Sequence, residues 1–153
     1  MLDYIPNNNL TLFFDFVNEF AYIYRNTIKE RIIEFVRVLV QRCKKEQDAL
    51  AGSDQKSNYI INQSWNVLRS ICETKDYIPE YLDRIEEEMK PIFEYAVEPQ
   101  YIDFDDDIAL MIATSIKLSK RLTETQKAIF RCFEAIHGKY NGIFGNLLTC
   151  LNM

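Results

Sequence analysis

From Leu10 to Leu151 apolar residues recur three and four positions apart, and only four glycines and four prolines interrupt a chain of 153 residues. That combination constrains the fold more than any motif in the sequence. Sheet-rich folds need period-two alternation and many tight turns, whereas a chain this poor in turn residues is set for long helices. The apolar share of 48% and charged share of 27% are those of an ordinary folded domain, and the length suffices for one substantial core. The expected class is all-α.

Seven helices can be placed. The first, about 10–24, has one apolar stripe through Phe13, Val17, Phe20 and Tyr24 and another through Leu12, Phe16 and Ile23. A helix apolar on so much of its circumference should be covered from more than one side. The second, about 28–47, is capped by Thr27 and turns Ile28, Ile32, Phe35, Val36, Leu39, Val40 and Cys43 inward. The stretch ALAGSDQKS, 49–57, reads as the one clear loop. The third helix, about 58–73, offers Ile60, Ile61, Trp65, Leu68, Ile71 and Cys72. The fourth, about 79–97, opens on Pro79 and carries a stripe of Leu82, Ile85, Met89, Ile92 and Ala96, with Pro91 inside it as a source of a kink. The fifth runs over about 105–120. The sixth starts with TETQ, where Thr123 and Gln126 match a capping box, and stops at Gly138. The seventh, about 142–152, shows Ile143, Phe144, Leu147, Leu148 and Leu151.

Short connections imply antiparallel neighbours. The odd-numbered helices begin near 10, 58, 104 and 141, so the chain steps by about 37–48 residues, close to the two-helix HEAT or armadillo period. The expected architecture is therefore an α-solenoid of HEAT-like antiparallel helix pairs, at about 10–47, 58–97 and 104–137, followed by an unpaired helix at 142–152. A plain helical bundle is the competing arrangement. Solenoids need polar terminal repeats, and an apolar last helix without one implies a piece of a longer solenoid in which Met1 is an artificial start.

The net charge of −5 is unevenly distributed. Arg25–Lys45 holds seven basic and two acidic residues, Glu73–Asp107 three basic and thirteen acidic, and Ile108–Tyr140 six basic and two acidic. The middle block is unsuited to nucleic acid, which needs clustered lysine and arginine, and suits a basic protein partner. Its densest parts are Glu86, Glu87 and Glu88, and the segment containing Asp103, Asp105, Asp106 and Asp107. Asp103, Asp105 and Asp107 fall at positions 1, 3 and 5 of a calcium loop, but position 6 is Ile108 where glycine is required and position 12 is Thr114 where glutamate is required. Calcium is set aside. Asp103 or Asp105 explains a helix N-cap; the remaining aspartates and the three glutamates are candidate partner-binding residues. Tyr77, Tyr95, Tyr101 and Phe104 flank these acids as possible aromatic contacts.

Catalytic and cofactor chemistry finds little support. The single histidine, His137, forms a Glu-x-x-His pair with Glu134, and a di-iron site would need a second such pair. GKYNGIFG, 138–145, has phosphate-loop residues in the wrong order. Cys43, Cys72, Cys132 and Cys150 show no C-x-x-C spacing and read as buried, reduced thiols. A signal peptide and an apolar run of about 18 residues are both lacking, so neither export nor a membrane span is expected. No catalytic residue, metal or cofactor is assigned.

The order of pieces over 58–153 resembles the central-to-C-terminal HEAT repeats of importin-β (karyopherin) nuclear transport receptors, in the Ran-binding importin branch that carries ribosomal proteins and histones. VLRSICE precedes a helix closing on PIFEYAV, then the acidic opening of IDFDDDIALMIATSIKLSKRLT, then TETQKAIFRCFEAIHGKYNGIFGNLLTCLNM. The resemblance implies a non-enzymatic receptor shuttling between cytoplasm and nucleus with basic protein cargo, and meeting Ran-GTP and nuclear pore proteins. In that family the main Ran-GTP contacts lie in N-terminal repeats, which have no match here. A HEAT or armadillo scaffold in another intracellular assembly is the alternative expectation, and a small helical enzyme the third.

Overall fold

The computed structural model describes residues 9–23, 29–53, 58–96 and 105–136. Among them are six α-helices: α1 (Leu10–Ile23), α2 (Ile32–Leu50), α3 (Tyr59–Cys72), α4 (Leu82–Ala96), α5 (Asp105–Ser119) and α6 (Glu124–Ile136). No strand occurs among the described residues. The all-α expectation therefore holds for them; the helix expected at 142–152, and with it His137, GKYNGIFG and Cys150, lies outside.

Two helix starts differ from the sequence reading. A short 3-10 turn, Lys29–Arg31, precedes α2, so the α-helix proper begins at Ile32. Pro79 does not open α4. Residues 75–81 form a turn that packs Tyr77 and Ile78 into the core, at 0% and 2% exposure, and the helix begins at Leu82. Pro91 does lie inside α4. Other ends follow local chemistry. Asn58 caps α3, its Oδ1 accepting from the Ile61 N–H at 3.0 Å, while its Nδ2 donates to Glu46 Oε2 at 2.9 Å. One side chain thus starts α3 and ties it to the last turns of α2. Lys120 takes a left-handed φ of 59° after α5 and donates its N–H to the Ile116 carbonyl at 2.8 Å, a helix stop of the αL kind built without glycine.

One core runs through the six helices. On α2, Ile32, Ile33, Val36, Leu39, Val40 and Cys43 are buried, and α3 and α4 both pack on that helix. Trp65 of α3 meets Phe93 of α4, ring centroids 6.0 Å apart. The stripe expected for α4 is buried at Leu82, Ile85, Met89 and Ile92. Contact follows sequence parity: α1 packs on α3, α3 on α5, α2 on α4, and α4 on α6, with α2–α3 and α4–α5 as the close consecutive pairs.

Ion pairs give the directions. Lys29 pairs with Glu80 at 2.5 Å and Arg37 with Glu88 at 2.5 Å. Both partners move eight residues in the same sense, so α2 and α4 run parallel. Arg121 reaches Asp83, and Thr123 reaches Glu86, so the turn that leads into α6 follows α4 in the same sense.

The first helix departs from expectation. Phe14 and Val17 are buried, and Phe14 meets Tyr59 of α3 edge-on at 6.3 Å. Leu12, Phe16 and Ile23 remain 70%, 64% and 62% exposed. The second stripe that should have been covered is open to water, which forgoes about 1.5–3 kcal/mol for each such side chain. Phe14→Ala should therefore cost about 3–5 kcal/mol in urea unfolding, whereas Phe16→Ala should stay within about 1 kcal/mol of the native chain. Equal costs at the two positions would mean that α1 is rotated from the orientation described.

Candidate functional site

The three consecutive glutamates of α4 were expected to share one acidic surface. Successive residues on a helix point about 100° apart, and here the three side chains go to three places. Glu87 is exposed. Glu88 turns toward α2, where Arg37 forks onto it: Nη2 lies 2.5 Å from Oε1 and Nε 3.0 Å from Oε2. Glu86 is only 4% exposed and faces α6.

Glu86 sits where the capping box of α6 needs it. Thr123 and Gln126 form that box as the sequence indicates: the Thr123 N–H donates to Gln126 Oε1 at 3.1 Å, and the Gln126 N–H donates to Thr123 Oγ1 at 3.1 Å. The reciprocal pair uses the oxygens of both side chains and leaves two donors over, the Thr123 hydroxyl and the Gln126 amide. Both residues are buried, so those donors need acceptors. A carboxylate supplies two oxygens and no competing donor. Thr123 Oγ1 donates to Glu86 Oε2 at 2.5 Å, and Gln126 Nε2 donates to Glu86 Oε1 at 2.6 Å. Four hydrogen bonds thus close a ring that docks the start of α6 on α4.

One turn earlier, Asp83 shares that face, and the Arg121 guanidinium meets it through two bonds of 2.8 and 2.7 Å. The left-handed turn at Lys120 delivers both Arg121 and Thr123 to α4. Neither contact was foreseen, although one signal was present. Leu82, Glu86, Met89 and Phe93 fall at i, i+4, i+7 and i+11, so Glu86 occupies a place on the apolar stripe.

Burial pushes the Glu86 carboxyl above its ordinary value, and the bonds from Thr123 and Gln126 oppose that rise without cancelling it. The carboxyls of Glu88 and Asp83, each beside an arginine, and of Glu80, beside Lys29, are held below theirs by those hydrogen bonds. Cys43 and Cys72 are free and buried, and desolvation pushes the Cys43 thiol up to about 12 and the Cys72 thiol upward as well. Thiols so placed are poor nucleophiles at neutral pH.

The candidate partner-binding residues therefore fare differently. Glu86 is withdrawn from the surface, and Glu88 is committed to Arg37. Asp105, Asp106 and Asp107 open α5, where carboxylates favour the helix N-terminus. Asp103 lies outside the described residues, as do Tyr101 and Phe104, and Tyr77 is buried rather than available to a partner. Among the described residues no group of three or more histidine, cysteine, aspartate or glutamate side chains could hold a metal ion, and no helix is long and apolar enough to cross a membrane.

Replacing Glu86 discriminates between a buried acceptor and a solvated glutamate. Glu86→Leu strands two buried donors and should cost at least about 2 kcal/mol, while Glu86→Gln keeps one acceptor and removes the buried charge, and should stay within about 1 kcal/mol. A folded-state carboxyl held above its unfolded value binds more protons when folded, so its effect on stability worsens as pH rises through that window. Chemical unfolding of the native chain and Glu86→Gln at pH 4 and pH 7 should show the native chain comparing better at the lower pH; no change in the difference would contradict this account. The chain matches no protein-family model, no curated protein and no solved structure.

Proposed function

We propose that this chain is a non-catalytic, protein-binding segment of an α-solenoid built from HEAT-like helix pairs, and that it binds a basic protein. The observation that carries the reading is the parity of the packing. Helices two apart in the sequence lie against each other, and α2 and α4 run parallel, as such helices do when two-helix units stack one on the next. Stacked units of this kind serve as extended binding surfaces, and their function lies in the loops and edges that the stack repeats.

The charge distribution supports a narrower choice of partner. Within α4 and the turn before it, Glu80, Asp83, Glu86 and Glu88 are occupied by contacts inside the fold. In the sequence the rest of the acidic block is densest at Asp103, Asp105, Asp106 and Asp107, and Glu87 is exposed on α4. The most specific form of the proposal is a segment of an importin-like nuclear transport receptor, carrying ribosomal-protein or histone-like cargo between cytoplasm and nucleus. It rests on the sequence resemblance over 58–153. Ran-GTP and nuclear pore proteins would be partners of the whole receptor.

Binding of a labelled lysine-rich histone-tail peptide tests the proposal. The native chain should bind it, with affinity falling several-fold when salt is raised from low to physiological strength, and a variant with asparagine at 103, 105, 106 and 107 should lose about tenfold at low salt. Absence of binding, or equal binding by both proteins, would contradict it and return the aspartates to helix capping alone.

A further inference from the structure

The outer face of α1 carries a line of exposed apolar side chains that the proposed function does not use. Leu12, Phe16, Glu19 and Ile23 fall at i, i+4, i+7 and i+11 and so lie along one line of the helix. Three of these are large apolar side chains at least 62% exposed. Phe20 is half-buried beside the line, its ring stacked on Phe16 with centroids 5.6 Å apart. Within the fold α1 rests on α3 through Phe14 and Val17, and among the described residues the opposite side has no cover. An apolar line of this length on a helix is what a partner helix reads through its own i, i+4 and i+7 anchors.

Charge selects among occupants. The ionisable side chains of α1 are Asp15, Glu19 and Tyr22, with no lysine or arginine in the helix. Asp15 and Glu19 are exposed, Glu19 within the line and Asp15 beside it. A second copy of α1 laid along the first would set carboxylates against carboxylates, and anionic lipid headgroups would meet the same repulsion. A helix whose apolar stripe is flanked by lysine or arginine would meet complementary charge on the rim. We infer that α1 docks a basic amphipathic helix from another protein, with Phe16 as the central anchor and Asp15 and Glu19 setting the preference for positive charge. This inference does not depend on the solenoid or transport reading, and its variants leave residues 103–107 untouched.

The probe is a labelled amphipathic leucine–lysine helix, compared with the same peptide carrying glutamate in place of every lysine. By fluorescence polarisation the lysine peptide should bind saturably and at least about tenfold more tightly than the glutamate peptide. Phe16→Asp, a change at an exposed position, should weaken the lysine peptide at least about tenfold with an unchanged helical circular-dichroism spectrum. Asp15→Lys combined with Glu19→Lys should reverse the preference toward the glutamate peptide. Absence of saturable binding, equal affinity for the two peptides, or full affinity in Phe16→Asp would overturn the inference. So would a native dimer in sedimentation that Phe16→Asp dissolves, or binding to phosphatidylcholine vesicles in preference to the peptide, since each would assign the face a different occupant.

Discussion

Ile32, Val36, Leu39 and Cys43 give α2 a stripe almost wholly out of water, and α3 and α4 close on it from different sides. Everything else in the fold is placed relative to that three-helix contact. The turn that carries Tyr77 and Ile78 into the core sets where α4 begins, so the buried residues of α4 meet those of α2 in register. On the far side α4 receives α6, and α3 receives α1 and α5. Loss of the central contact would leave the outer helices with one apolar stripe each and nothing to lay it on. Helices this short are marginal on their own in water, so their order derives from that packing.

Electrostatics refine this arrangement in two different ways. The basic block at the start of the chain and the acidic block in its middle lie on helices that pack together, and Lys29–Glu80 and Arg37–Glu88 join them across the seam. Pairs this exposed contribute little stability, because water screens them. Their spacing, eight residues on both helices, instead favours the parallel alignment over an inverted one. Glu86 acts differently. Its carboxyl is buried, and it is tolerated because a capping box presents two donors that have no other use. A glutamate on one helix completes the N-terminus of another forty residues later in the chain.

The helices and their inward stripes were legible because periodicity is a local property. So was the Thr123–Gln126 box, which is written within four consecutive residues. Glu86 was misassigned because its partners are distant in sequence, and a run of three glutamates invites reading as one surface. Its place on the apolar stripe was the signal that it points inward. Tyr77 was misplaced as an aromatic at the edge of an acidic surface, because the helix was expected to open at Pro79, whereas residues 75–81 fold a turn that buries it. In α1 the inward face was misplaced, since Phe14, in neither expected stripe, is buried beside Val17 while Phe13 and Phe20 are half-buried; nor can sequence say what covers a face, and Leu12, Phe16 and Ile23 are left open. The close consecutive contacts, α2–α3 and α4–α5, fall between the helix pairs expected at about 10–47, 58–97 and 104–137 rather than within them, which the spacing of helix starts does not determine.

Native-state amide hydrogen exchange tests the dependence on α2 most directly, because it ranks the opening free energy of each helix in the intact chain. The buried amides of α2, α3 and α4 should exchange last and together, through global unfolding, with α1 opening earlier because among the described helices it packs chiefly on α3. Protection of α1 equal to that of α2, or release of α2 while α1 stays closed, would contradict the claim that the α2 contact with α3 and α4 holds the rest in place.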